Sequence, residues 1–215
     1  MKSDTLRQFL GRLLCSCLAG SLALLAGSGP LERDRDRAQR LFTLGCSEAQ
    51  AAGEDRAGAA AAFDKAARVL QHPRCVNCHP VGQRPLVGDR SQPHPMHVER
   101  GPQGMGKNGL WCSTCHQDKN LQGSGLPPGA PGWELPPADM PMVFEKKTSR
   151  QLCEQLKDPA RNGSRSPAEI VDHVRDAPLV LWGWHPGEGR TPVPMPHEEF
   201  VRLLSQWADK GAACP

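Results

Sequence analysis

Tyrosine is absent from these 215 residues, and aromatics together make up only 5%. With hydrophobic residues at 38%, the chain is short of the material that fills an ordinary core. Long apolar runs are missing too. The best, Leu13 to Leu25, falls short of the about 20 residues that a membrane-spanning helix needs. An excess of one charge is also lacking. The formal charge is +3, and setting aside Lys2, Asp4, Arg7 and Arg12 of the N-terminal segment leaves about +1, which excludes a basic footprint for nucleic acid. Strand-forming runs are few, whereas Gly (22) and Pro (21) are about a fifth of the chain. This composition predicts a mainly α protein with long Pro/Gly-rich loops. The length suits one ordinary domain or two small ones.

What the chain does have is cysteine in a pattern. Cys75-Val76-Asn77-Cys78-His79 and Cys112-Ser113-Thr114-Cys115-His116 are both C-x-x-C-H, the attachment pattern of a c-type haem. Two thiols add across the two vinyl groups of one porphyrin, so they must lie a few residues apart. The histidine that follows gives its imidazole to the iron. The expected cofactors are therefore two covalently bound haem c groups. Cys75, Cys78, Cys112 and Cys115 are the attachment residues, and His79 and His116 the proximal ligands. Two porphyrins would also supply the missing apolar surface, and their propionates would turn the net charge negative. Only 32 residues separate His79 from Cys112, too few for a complete single-haem domain. Both haems should share one compact fold.

Along the chain, residues 1–29 read as a secretory signal: Lys2, Arg7 and Arg12, then the short apolar stretch, then small residues Ala26 to Gly29. This predicts a periplasmic protein. Membrane association is expected only if the N-terminus stays uncleaved. Cys15 and Cys17 precede most of the apolar stretch and fall in the discarded peptide. Residues 30–58 read as a polar, helical N-terminal extension, and 59–215 as the di-haem domain. Ala59 to Leu70 is a helix with Phe63, Ala66, Ala67 and Leu70 on one face, stopped by His72-Pro73. Residues 80–111 and 117–145 read as loop, with Trp133 expected on a porphyrin face or edge. Thr148 to Gln151 and Ser166 to Glu169 are capping boxes, each opening a helix. A last helix runs from about His197 to Lys210, burying Phe200, Leu203, Leu204 and Trp207 and ending at Gly211.

Beyond the signal and the two motifs, Cys46, Cys153 and Cys214 remain. An exported chain meets an oxidising compartment. A Cys153–Cys214 disulfide with Cys46 free is the expected pairing, among others that the sequence allows.

The sixth ligand of each iron decides function. His94 is a candidate because Pro93 and Pro95 stiffen its loop. His173 lies on an otherwise apolar helix face, where an imidazole wants a partner. Met140 sits in a Met-Pro loop that presents sulfur. Met105, Met142, His97, His185, Met195 and His197 complete the set. For His197, a surface position beside Glu198 and Glu199 is the better reading.

The chain resembles the small exported di-haem c-type cytochromes labelled as isoquinoline 1-oxidoreductase subunits. The resemblance covers roughly residues 60–215. It is carried by Pro73 to Pro80, Arg100-Gly101, Cys112 to His116, Ala138-Asp139-Met140, Leu156 to Gly163, Trp182 to Gly187 and Trp207 to Ala212. The Asp89 region and residues 30–58 carry none of it. The resemblance implies an electron-accepting partner of a molybdenum hydroxylase. No molybdopterin or iron–sulfur motif is present, so the chain should not be the hydroxylase itself.

The leading expectation is an exported di-haem cytochrome. It would pass electrons between a periplasmic or membrane-associated oxidoreductase and the respiratory chain, as a carrier rather than an enzyme. The alternative is a haem enzyme or gas sensor with one open iron, as in di-haem peroxidases. A structural zinc protein built on the two C-x-x-C pairs ranks last.

Overall fold

The computed structural model describes residues 31–215, and the expected signal lies outside them. The chain divides into two compact units, Met1–Glu54 and Asp55–Pro215. The described part of the first is helical throughout, and the same helix, α1 (Leu31–Leu70), runs on into the second. In residues 37–45 the side chains are exposed, including Leu41, Phe42 and Leu44. The side chain of Cys46 lies outside those described.

In the second unit, α1 ends two residues before His72-Pro73, where proline removes a backbone donor and forbids α geometry to the residue before it. Phe63, Ala66, Ala67 and Leu70 are all buried. The chain then forms α2 (Pro73–Val76) and two minimal hairpins. Strand β1 (Leu86–Val87) pairs with β2 (Gln92–Pro93), and β3 (Gly106–Lys107) with β4 (Leu110–Trp111). A 3-10 turn, Pro95–His97, lies between them. The hairpins depart from the expected plain loop. Two-residue ladders closed by the turns Gly88–Ser91 and Asn108–Gly109 have no alternating pattern to read.

One helical turn, α3 (Cys112–Cys115), follows, and then irregular chain to residue 148. Helices α4 (Ser149–Lys157) and α6 (Pro167–Asp176) both start at complete capping boxes, Thr148/Gln151 and Ser166/Glu169. Each cap side chain accepts from the N3 amide while the N3 side chain accepts from the cap amide. Short turns α5 (Pro159–Asn162) and α7 (Pro178–Leu181) continue the chain, each with proline at its start. The last helix, α8 (His197–Asp209), packs on α6 and buries Phe200, Leu203, Leu204 and Trp207. Phe63 of α1 meets Trp207 with ring centroids 5.1 Å apart.

Cys153 and Cys214 form a disulfide with Cα atoms 5.6 Å apart, tying α4 to the chain end. The molecule is mainly α with long loops. Among the described residues, no helix is long and apolar enough to cross a membrane.

Candidate functional site

Both C-x-x-C-H stretches are single helical turns. In the first, the His79 amide donates to Cys75 O; in the second, the His116 amide donates to Cys112 O at 2.9 Å. A helical turn brings residues three apart close together; Cys75 and Cys78 both line one cavity, whereas Cys112 is buried and Cys115 exposed. The turn at Cys75 is started by Pro73 and by His72, whose Nδ1 accepts from the Arg74 amide.

The chain that returns after the second motif clasps His79. Its carbonyl accepts from the amides of Phe144 (2.8 Å) and Glu145 (3.1 Å). Its Nδ1 lies 2.7 Å from Met142 O, and its ring stacks on Phe144 at 3.9 Å and 10°. Met142 adopts a left-handed φ of 44°, an uncommon conformation for a side-chain-bearing residue, and holds that carbonyl in place. A carbonyl can only accept, so Nδ1 carries the proton and Nε2 is left with a free lone pair. Burial chiefly, offset by the Met142 bond and reinforced by the charges of Arg100 and His173, pushes the His79 pKa down to about 4. At neutral pH this imidazole is uncharged.

His116 repeats the arrangement. Its Nδ1 lies 2.7 Å from Pro128 O, and its ring stacks on Trp133 at 4.4 Å and 3°. Burial lowers its pKa, the Pro128 bond opposes this, and His94 and Arg190 add to the lowering. Pro128 is held by its neighbour. The Gly129 amide donates to Asn120 Oδ1 (3.0 Å), and a Cβ at Gly129 would fall 2.3 Å from the carbonyls of Gln117 and Lys119. Trp133, expected on a porphyrin face or edge, packs on the His116 imidazole. The two motifs are linked through side chains: Trp133 meets Trp182 edge-on at 5.0 Å, and the Arg74 guanidinium lies over Trp182 at 5.7 Å.

A cavity of about 280 Å³ opens beside the first motif. Cys75, Cys78 and His79 line one part of it, and Met140, Met142 and His173 another. The rest is mostly apolar. Burial raises the Cys75 and Cys78 thiols to about 12 and about 11 respectively, each reinforced by a neighbouring thiol and opposed by Arg74. Two buried guanidinium groups lie near. Arg74 bonds Asp89 (2.6 Å), and its Nε has no partner. Among the described residues, Arg100 is fully buried, reaches only Gly82 O at 3.4 Å, and leaves Nε and Nη1 unsatisfied. Burying a cation without an anion is costly.

The fold sorts the predicted sixth ligands between the motifs. Met140 and His173 fall in the first cavity, and His173 is exposed there rather than buried in an apolar face. His94 falls beside His116, ring centroids 6.2 Å apart. His97 and Met105 are exposed, and Met105 does not line the cavity. His185 is exposed. His197 departs from the surface reading: it is half-buried, its Nε2 lies 2.9 Å from Val174 O, and its ring meets Trp184 edge-on. It joins α8 to α6.

Sequence reasoning missed Phe144, Arg74, Arg100 and the carbonyls of Met142 and Pro128. Arg74 adjoins a motif and Arg100 lies in a noted dipeptide, but a backbone acceptor leaves no mark in side-chain identity. Compared with known proteins, the chain matches no family model, no curated protein and no solved structure.

Proposed function

We propose that this chain is a di-haem c-type cytochrome that carries electrons between a partner oxidoreductase and an acceptor. Cys75, Cys78 and His79 would hold one haem, and Cys112, Cys115 and His116 the other. The observation that carries this reading is repeated twice. Two thiols on one helical turn precede an imidazole whose Nδ1 is fixed on a backbone carbonyl and whose Nε2 is free. A carbonyl on the far ring nitrogen is what orients a metal-binding histidine. The mostly apolar cavity beside Cys75 suits a porphyrin.

When bound, haem supplies one-electron redox chemistry. The chain's own residues attach it, hold the ligand nitrogens and exclude water. Phe144 and Trp133 lock the imidazole planes by stacking. Attachment is balanced in atoms: each S–H adds across a vinyl group, the sulfur to one carbon and the hydrogen to the other. A zinc site would need its thiolates around one ion, and among the described residues no group of three His, Cys, Asp or Glu side chains is gathered to hold a metal by itself. Export to the periplasm, and a molybdenum hydroxylase or respiratory component as partner, rest on the sequence alone.

The test is expression of the full chain with a c-type maturation system, followed by a pyridine haemochrome assay and spectra with and without carbon monoxide. The expected result is two haems per chain and no carbon monoxide shift. A shift at one haem would turn the reading toward the sensor or enzyme. Absence of haem would end it.

A further inference from the structure

We infer that His94 is the second axial ligand of the iron carried by Cys112, Cys115 and His116, closing that iron between two imidazoles. This rests on the di-haem reading above and adds to it a ligand pairing that the sequence left open.

Geometry carries the inference. The His94 and His116 rings have centroids 6.2 Å apart. Two imidazoles on opposite sides of one metal ion, each at about 2.0–2.1 Å with roughly 1.1 Å from nitrogen to ring centre, would have centroids about 6.3 Å apart. Each ring has its Nδ1 on a carbonyl: His94 on Pro95 O at 2.8 Å, His116 on Pro128 O at 2.7 Å. Among the described residues, neither Nε2 makes a hydrogen bond, which is the state a ligand nitrogen requires.

The His94 backbone is also fixed more firmly than a surface loop needs. Its amide donates to Pro85 O (2.9 Å), and its carbonyl accepts from both Nε (2.8 Å) and Nη2 (2.5 Å) of Arg84. Pro93 and Pro95 restrict the chain on either side. Preorganisation of this kind lowers the entropic cost of presenting one side chain to a metal. The ring planes meet at 63°, as they do in an edge-on aromatic pair, but only a metal between them would use both ring nitrogens left without a hydrogen bond. The separation lies toward the far end of the range for paired aromatic rings, about 4.5–7 Å. Packing also gives no reason for both Nδ1 atoms to be tied down.

The first cavity holds the other two candidates, Met140 and His173, so the sites are asymmetric.

The test uses the loaded full-length protein and the variants His94→Ala, His94→Met and, as a control on the same loop, His97→Ala. His94→Ala should gain one carbon monoxide-binding haem per chain over wild type, and added imidazole should reverse the gain. His94→Met should replace one bis-histidine electron paramagnetic resonance signal by a histidine–methionine one. His97→Ala should match wild type. Two haems with an unchanged spectrum in both His94 variants would overturn the inference while leaving the di-haem reading intact. A gain of carbon monoxide binding in His97→Ala alone would also overturn it. A wild type without haem would remove the reading beneath it.

Discussion

Four thiols of one chain, two pairs with the same local sequence spacing, sit in unequal surroundings. Cys115 is exposed, Cys112 is buried, and Cys75 and Cys78 line the cavity wall. Burial is the first cause that lifts the Cys75 thiol to about 12 and the Cys78 thiol to about 11. Only the thiolate is nucleophilic, so at about pH 8 both stay protonated and unreactive. In the chain made without haem, iodoacetamide should modify Cys115 well before Cys75 or Cys78, as read by peptide mass spectrometry. In the protein loaded as proposed, none of the four should be modified, since each thiol would be consumed as a thioether. Neither contrast can be read from two identical C-x-x-C-H strings. The difference lies in what packs around them: Leu70, Leu156 and Phe144 around the first, solvent around Cys115.

At the scale of elements, local chemistry was highly legible. Ser166 and Glu169 announce the start of α6 because the cap is made within four residues, and Pro167 adds a preset φ. Ser166→Ala should cost about 1 kcal/mol, seen as a lower denaturation midpoint with unchanged slope. The loops were legible only as loops. Gly129 has no sequence signature that separates it from the chain's other glycines, yet the carbonyls of Gln117 and Lys119 leave no space for a Cβ there. Gly129→Ala should push Pro128 away from His116 and reduce the haem content from two per chain toward one. An unchanged pyridine haemochrome in this variant would mean that the Pro128 carbonyl does not position the ligand.

Across the whole molecule, one covalent link closes the second unit. The Cys153–Cys214 bridge spans 61 residues and joins α4 to the tail behind α8. Constraining the unfolded chain over a loop of this length is worth roughly 4 kcal/mol in the chain-entropy account. The double variant Cys153→Ala/Cys214→Ala should therefore lose several kcal/mol of stability in thermal or denaturant unfolding. Retained midpoints would show that the buried cluster around Trp207 and Phe63 suffices without the bridge. Elimination among the cysteines suggested the pairing, but sequence alone allows others; proximity of α4 and the C-terminus decides it.

Features whose causes are local follow from the order of residues alone. These are the helical character and loop-rich texture, the capped starts of α4 and α6, the halt of α1 before Pro73, the buried stripe of α8, and the two thiol-thiol-imidazole clusters. Each depends on residues within a turn or two of one another. Tertiary structure decided what depends on contacts across long stretches of chain. It put Met142 and Phe144 on His79 and Pro128 and Trp133 on His116, left Arg100 buried without an anion, set Met140 and His173 in one cavity, and laid His94 against His116. Backbone carbonyls and empty volume have no letter in the sequence. Only the folded chain, by bringing Pro-rich loops back onto the two helical turns, could say which candidate belongs to which site.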